Sequence, residues 1–101
     1  MMSNSFVPEE DEINGISEFF KVFGDPTRLK ILFFLERGEA SVNVISSSLN
    51  ISQSTSSQHL KLLRVSRLVS SRKDGKNTFY KLNDHHISQI LLTGKQHFEE
   101  E

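Results

Sequence analysis

Residues 41–65 read SVNVISSSLNISQSTSSQHLKLLRV. Val42, Ile45 and Leu49 recur at three- and four-residue spacing, which predicts a short helix over Ser41 to Leu49. Asn50-Ile51-Ser52 breaks that pattern as a turn. Ser52 then suits the cap of a second helix running to about Val65, because its hydroxyl can accept from a free N–H of the first turn. At about 100° per residue, turning Leu60 and Leu63 inward also turns Ser56 inward. Ser54, Thr55, Gln58 and Lys61 then face outward, with His59 on the flank.

The chain on either side fits this pair of helices. Residues 1–8 are expected to be a disordered tail, ahead of one folded domain over 9–101. A first helix is predicted from about Glu9 to Phe23, its acidic start suited to the positive end of the helix dipole. Ile13, Ile16, Phe19, Phe20 and Phe23 form its apolar face. Gly24-Asp25-Pro26 stops that helix and starts another, with Asp25 as cap and Pro26 in the first position. This next helix carries Leu29, Ile31, Leu32, Phe33 and Leu35 and stops at Gly38. It is apolar nearly all round near its end, the pattern of a buried central helix. Beyond Val65, Leu68 to Lys73 and Thr78 to Leu82 read as strands of a hairpin around Asp74-Gly75-Lys76-Asn77. A last helix is predicted from about Asp84 to the C-terminus. The order α-α-α-α-β-β-α, mainly helical with one β-hairpin, is a winged helix-turn-helix.

The chain has 101 residues and a net charge of −1. Its size suits one domain with a modest core, for which a partner subunit is a natural support. The net charge hides a division. Residues 1–25 hold one Lys and six acids, or −5; residues 26–81 hold ten Lys/Arg and three acids, or +7; residues 82–101 hold one Lys and four acids, or −3. A basic centre in the helix-turn-helix and wing is what double-stranded DNA would meet. Ser and Thr suit phosphates or base edges, Gln can pair with adenine, and Lys meets phosphate. The expected DNA-binding residues are therefore Ser54, Thr55, Gln58, His59 and Lys61, with Arg72, Lys73 and Lys76 of the wing. There is no Cys, which excludes disulfides, thiolate metal sites and thiol nucleophiles. No apolar run approaches the roughly 20 residues that span a bilayer. The opening MMSNSFVPEEDE lacks the marks of a signal peptide. A cytoplasmic protein with no membrane partner and no small-molecule substrate is expected.

Asp25-Pro26-Thr27-Arg28-Leu29-Lys30-Ile31-Leu32 resembles the ArsR–SmtB family of metal-sensing repressors, and so does Ile51 through Leu63. The resemblance continues through Gly75 and Tyr80 and covers about residues 12 to 100. It implies a homodimer built on the first and last helices, the fourth helix in the major groove, and an operator released by a metal or another inducer. A sensor site of the family that uses cysteines near the second or third helix is impossible here.

The last helix offers Asp84, His86, His97 and Glu100. His86 and His97 share a helix face but stand about 16 Å apart along it, too far for one ion. Against an antiparallel partner helix, His86 lies level with the partner's His97, and Asp84 within one position of the partner's Glu100. Two equivalent sites result, each with two imidazoles and two carboxylates. That donor set suits Zn(II), with Co(II) or Ni(II) as competitors. The same spacing resembles the family's last-helix zinc site, although Glu99 and Glu101 compete for the role of fourth ligand. His85 has no level partner. Ile87, Ile90, Leu91 and Phe98 are expected to form a stripe beside the ligands as a dimer face. A catalytic zinc would keep an open position and a nearby base, so a regulator rather than an enzyme is expected. The function expected is a DNA-binding repressor released by Zn(II). The alternatives are a repressor of the same type answering a non-metal signal and a winged helix that binds only protein.

Overall fold

The computed structural model describes residues 6–100. The order is α1 (Glu10–Phe23), α2 (Pro26–Leu35), β1 (Ala40–Ser41), α3 (Val42–Leu49), α4 (Gln53–Val65), β2 (Val69–Asp74), β3 (Asn77–Leu82) and α5 (His85–Glu99). Of the expected tail, residues 1–5 lie outside the described ones, and Phe6 to Pro8 precede α1 on the surface.

Side chains start most of the helices. Asp25 accepts from the Arg28 N–H at 2.9 Å, and Pro26 follows in the first position of α2. Ser41 accepts from the Val44 N–H, Ser52 from Thr55 and Asp84 from His86, so α3, α4 and α5 are each capped. These contacts satisfy N–H groups that have no partner inside the helix. The turn between α3 and α4 closes through Asn50, whose φ of 58° is left-handed, a conformation that Asn adopts at less cost than most residues.

The sheet has the order β1-β3-β2, antiparallel throughout. Its first strand has only two residues, Ala40 opposite Tyr80 and Ser41 opposite Phe79, and went unpredicted. The hairpin is tighter than expected. Pairing runs out to Asp74 opposite Asn77, leaving Gly75-Lys76 as the whole turn. Gly75 alone in that turn takes positive φ, at +66°, as a glycine in the first central position of a tight hairpin does.

Ile31, Leu32, Ile45, Leu60, Leu63 and Leu68 form the fully buried centre. Burying side chains of this kind stabilises by about 1.5–3 kcal/mol each relative to exposure. The expectation that α2 is buried all round is corrected: Phe33 stays 37% exposed. It lines a groove between α1 and α5, so α2 serves the core with one side and this groove with the other. The expected α5 stripe also divides. Ile87 and Leu91 are buried in the core, whereas Phe98 is 87% exposed. On α1 only Val22 and Phe23 are buried; Ile13, Ile16 and Phe20 remain exposed.

Candidate nucleic-acid interface and metal ligands

The reading face expected on α4 forms as the periodicity requires. Leu60, Leu63 and Ser56 point into the core, while Ser54, Gln58 and Lys61 are exposed and Thr55 is half-buried. Thr55 also takes part in the cap, its hydroxyl accepting from Ser52 Oγ at 2.9 Å. Beneath this face, Ser46 Oγ of α3 donates to Ser56 Oγ of α4 at 2.8 Å, and both residues are buried. A directed bond in the apolar layer thus ties the two helices together at the height of the reading residues.

His59 is half-buried, and its Nδ1 lies 3.4 Å from Nη1 of Arg28. One edge of the ring therefore faces α2.

In the wing, Lys73 and Lys76 are exposed. Arg72 has a different first task. Its guanidinium makes two 2.9 Å hydrogen bonds to the Glu39 carboxylate, lies 3.8 Å from Asp74 and sits 4.7 Å over the Phe79 ring. It fastens the hairpin to the residue before β1. The paired hydrogen bonds from Arg72 hold the Glu39 carboxyl below the ordinary glutamate value, more than offsetting partial burial, and hold the Arg72 guanidinium above its own.

Asn43, Gln53, Ser57, Asn77 and Thr78 were not anticipated. With Val42 and Lys76 they line a polar cleft of about 420 Å³ where the starts of α3 and α4 meet the wing tip. Gln53 Nε2 donates to Asn43 Oδ1 across it. No sequence signal marks the cleft, because its walls come from three separate elements.

The metal candidates fall at the two ends of α5. At the first end they converge: Asp84 Oδ1 lies 3.2 Å from His86 Nδ1. Partial burial raises the Asp84 carboxyl, but the His86 N–H, the Asn83 amide and the His86 ring outweigh it and leave the group below its ordinary value. It is thus an ionised donor at neutral pH. His85 stacks on His86 with ring centroids 4.5 Å apart. At the other end His97 is in the last turn, but Glu100 is past the helix in extended conformation, with φ −73° and ψ 142°. Its φ is still helical and its N–H donates to the Gln96 and His97 carbonyls, so its Cβ keeps the i, i+3 position relative to His97 and only the chain beyond turns away. Glu99 is engaged by Lys95 at 2.7 Å, and Glu101 lies outside the described residues. Among the described residues, no group of three or more His, Asp or Glu gathers as a metal site within one protomer.

Comparison with known proteins bears on the whole arrangement. The family model for the bacterial regulatory protein arsR family matches residues 25–71, from the α2 cap into β2. The chain is 33% identical over 90 residues to a transcriptional repressor SmtB homolog of Synechocystis sp., covering 89% of this chain and 68% of that protein. It is 35% identical over 77 residues to a cadmium resistance transcriptional regulatory protein CadC homolog of Staphylococcus aureus, covering 75% and 64%. It thus spans about two thirds of the length of these relatives. A homodimeric winged helix-turn-helix DNA-binding domain from Mycobacterium bovis, 22% identical, superposes with a TM-score of 0.86 over 99% of this chain and 92% of that one, which establishes the fold. The identity to a repressor across most of this chain, and the family match over the helix-turn-helix itself, lead to one conclusion: the chain belongs to the arsR family of bacterial regulatory proteins.

Proposed function

We propose that the chain is a transcriptional repressor that binds operator DNA as a homodimer, with α4 in the major groove, and is released when Zn(II) binds between the α5 helices. The observation that carries the DNA reading is the outward row of Ser54, Thr55, Gln58 and Lys61, with His59 at its flank, beside a wing whose tip lysines Lys73 and Lys76 are exposed. Hydroxyl, amide and ammonium groups on one helix edge supply both base and phosphate contacts. Arg72 would serve DNA chiefly by holding the wing in place, and the cleft beside Lys76 suits a backbone phosphate.

The apolar surface left by α1 and α5 supports the dimer. Phe20 is 54% exposed and Phe98 87%, and both line an apolar groove of about 530 Å³ with Phe33, Ile90 and Leu91. A surface of this kind on a small chain calls for a partner. A second copy laid antiparallel along α5 would cover it.

The same arrangement supports the metal site. Asp84 and His86 already converge as a nitrogen–oxygen pair, and His97 with a carboxylate from Glu100 would complete the shell from the partner chain. Zn(II), or Co(II) or Ni(II) in its place, would supply only a fixed charge and a fixed geometry. The work falls to the residues, which bind more tightly in one dimer geometry than in another. Such a difference, typically ~1–3 kcal/mol, changes the spacing of the reading helices. The names of relatives that regulate cadmium resistance, or are homologous to SmtB, favour a metal as the signal.

Titration with Co(II) tests the seam. The account expects a tetrahedral absorption band saturating at one ion per protomer and absent in His97→Ala. Saturation with an unchanged spectrum in His97→Ala would remove the cross-chain site and move the signal to a non-metal inducer.

A further inference from the structure

Arg28 touches three helices at once. Its own N–H completes the α2 cap on Asp25 at 2.9 Å. Its Nε donates to the Val22 carbonyl at 2.9 Å, one of the last carbonyls of α1, which lack a partner inside that helix. Its Nη1 reaches Nδ1 of His59 on α4 at 3.4 Å. A guanidinium can only donate, so His59 Nδ1 is the acceptor, and the ring is held in one orientation.

Leu60 and Leu63 are fully buried and fix the depth and the coarse rotation of α4. Directed hydrogen bonds set its final angle. One directed restraint, toward α3, is Ser56 on Ser46 together with Gln53 on Asn43. His59 on Arg28 is a second, toward α2 and, through the Val22 carbonyl, toward α1. A rotation of about 20° is a fifth of the step between successive residues, enough to re-aim Gln58 relative to a base edge. The exposed apolar residues of α1, Ile13, Ile16 and Phe20, lie on the surface assigned above to the dimer. Arg28 is therefore a hydrogen-bonded link between the end of that helix and the reading helix, beside the apolar approach of Phe19 and Val22 to Leu62 and Val65.

We propose that Arg28 and His59 are positioning residues that lock the rotation of α4 relative to α1, so that both reading helices of the dimer meet their half-sites together. The proposal rests on the DNA and dimer readings given above. It assigns His59 to the protein side of the interface, where sequence alone places it among the DNA contacts.

The test uses the full chain and a duplex selected by it from a random library, alongside the same duplex with one half-site scrambled. Binding is followed by fluorescence anisotropy at several salt concentrations. For His59→Leu, the intact duplex should lose at least tenfold in affinity and the scrambled duplex less than twofold. The salt slope should not change, since no phosphate contact is lost. His59→Asn, whose Oδ1 can accept from Arg28, should recover to within about threefold of wild type. Arg28→Lys keeps the charge but loses the fork, and should repeat the His59→Leu pattern. It also stands in for His59→Leu if circular dichroism shows that variant unfolded. Equal loss on both duplexes with a shallower salt slope would make His59 a DNA contact and overturn the proposal. Undiminished binding by His59→Leu would also overturn it. A wild-type chain that selects no duplex at all would instead refute the DNA reading itself.

Discussion

The bond between Ser46 and Ser56 predicts a particular pattern of stabilities. Both hydroxyls are buried, with exposures of 5% and 0%, and they bond at 2.8 Å. Replacing Ser56 by Ala removes the acceptor and leaves the Ser46 hydroxyl in an apolar layer. The lost bond is worth about 0.5–1.5 kcal/mol, and an orphaned buried donor costs about 1–3 kcal/mol. The Ser46 hydroxyl can turn back to a carbonyl of its own helix, which draws the expected cost toward the lower end, about 1–2 kcal/mol. Ser46→Ala should cost about the same. The double variant leaves no orphan and should cost well under the sum of the two, with a coupling of about 1 kcal/mol. For a domain of this size, 1 kcal/mol moves Tm by roughly 4–8 °C. Urea unfolding of wild type, both single variants and the double variant, at one protein concentration because dimerisation contributes, gives the cycle. A double variant as unstable as the sum of the singles would refute the claim that this bond ties α3 to α4.

Lys76→Ala should weaken binding by a similar factor on every DNA sequence and lower the salt slope by about 1, whereas Gln58→Ala should lose about 1–3 kcal/mol of discrimination at one base position; competition anisotropy with mutated duplexes separates the two. Because Arg72 lowers the Glu39 carboxyl, its contribution to stability is complete above the ordinary glutamate pKa and lost as pH falls through the lower folded value. An NMR titration should show Glu39 ionised below the usual range, returning to it in Arg72→Ala. Phe20→Asp should give a folded monomer by sedimentation at concentrations where the wild type is dimeric, since Phe20 is already half exposed.

Much of this fold is legible in the sequence because its signals are local. Asp25-Pro26, Ser41 and Ser52 start their helices through contacts three residues away, and the spacing of Leu60 and Leu63 orients α4 with no knowledge of what covers it. Long-range partners are not legible. The two-residue β1 has no alternation of its own and exists only through β3. Arg72 reads as a free wing cation until Glu39, 33 residues earlier, is found on it. His59 reads as a flank residue until Arg28, 31 residues earlier, reaches it. Spacing alone gives the whole α5 stripe to the dimer, although Ile87 and Leu91 are needed to close the chain's own core. Periodicity identifies an apolar face but not which of two neighbours will cover it. Asp84 and His86 are two residues apart, and their convergence follows from the cap at the start of α5. The helix ends at Glu99 where the spacing carries it to the C-terminus, a boundary without a Gly or Pro to announce it.

The central claim is that one protein reads DNA through α4 and is released by a metal held between two α5 helices. The most direct test is fluorescence anisotropy of the metal-free chain on its selected duplex, repeated with Zn(II) and with His97→Ala. The account predicts salt-sensitive binding by the metal-free protein, at least tenfold weakening by Zn(II) in the wild type, and no response in His97→Ala. Binding by the metal-free protein that Zn(II) leaves unchanged, or weakens equally in His97→Ala, would contradict it.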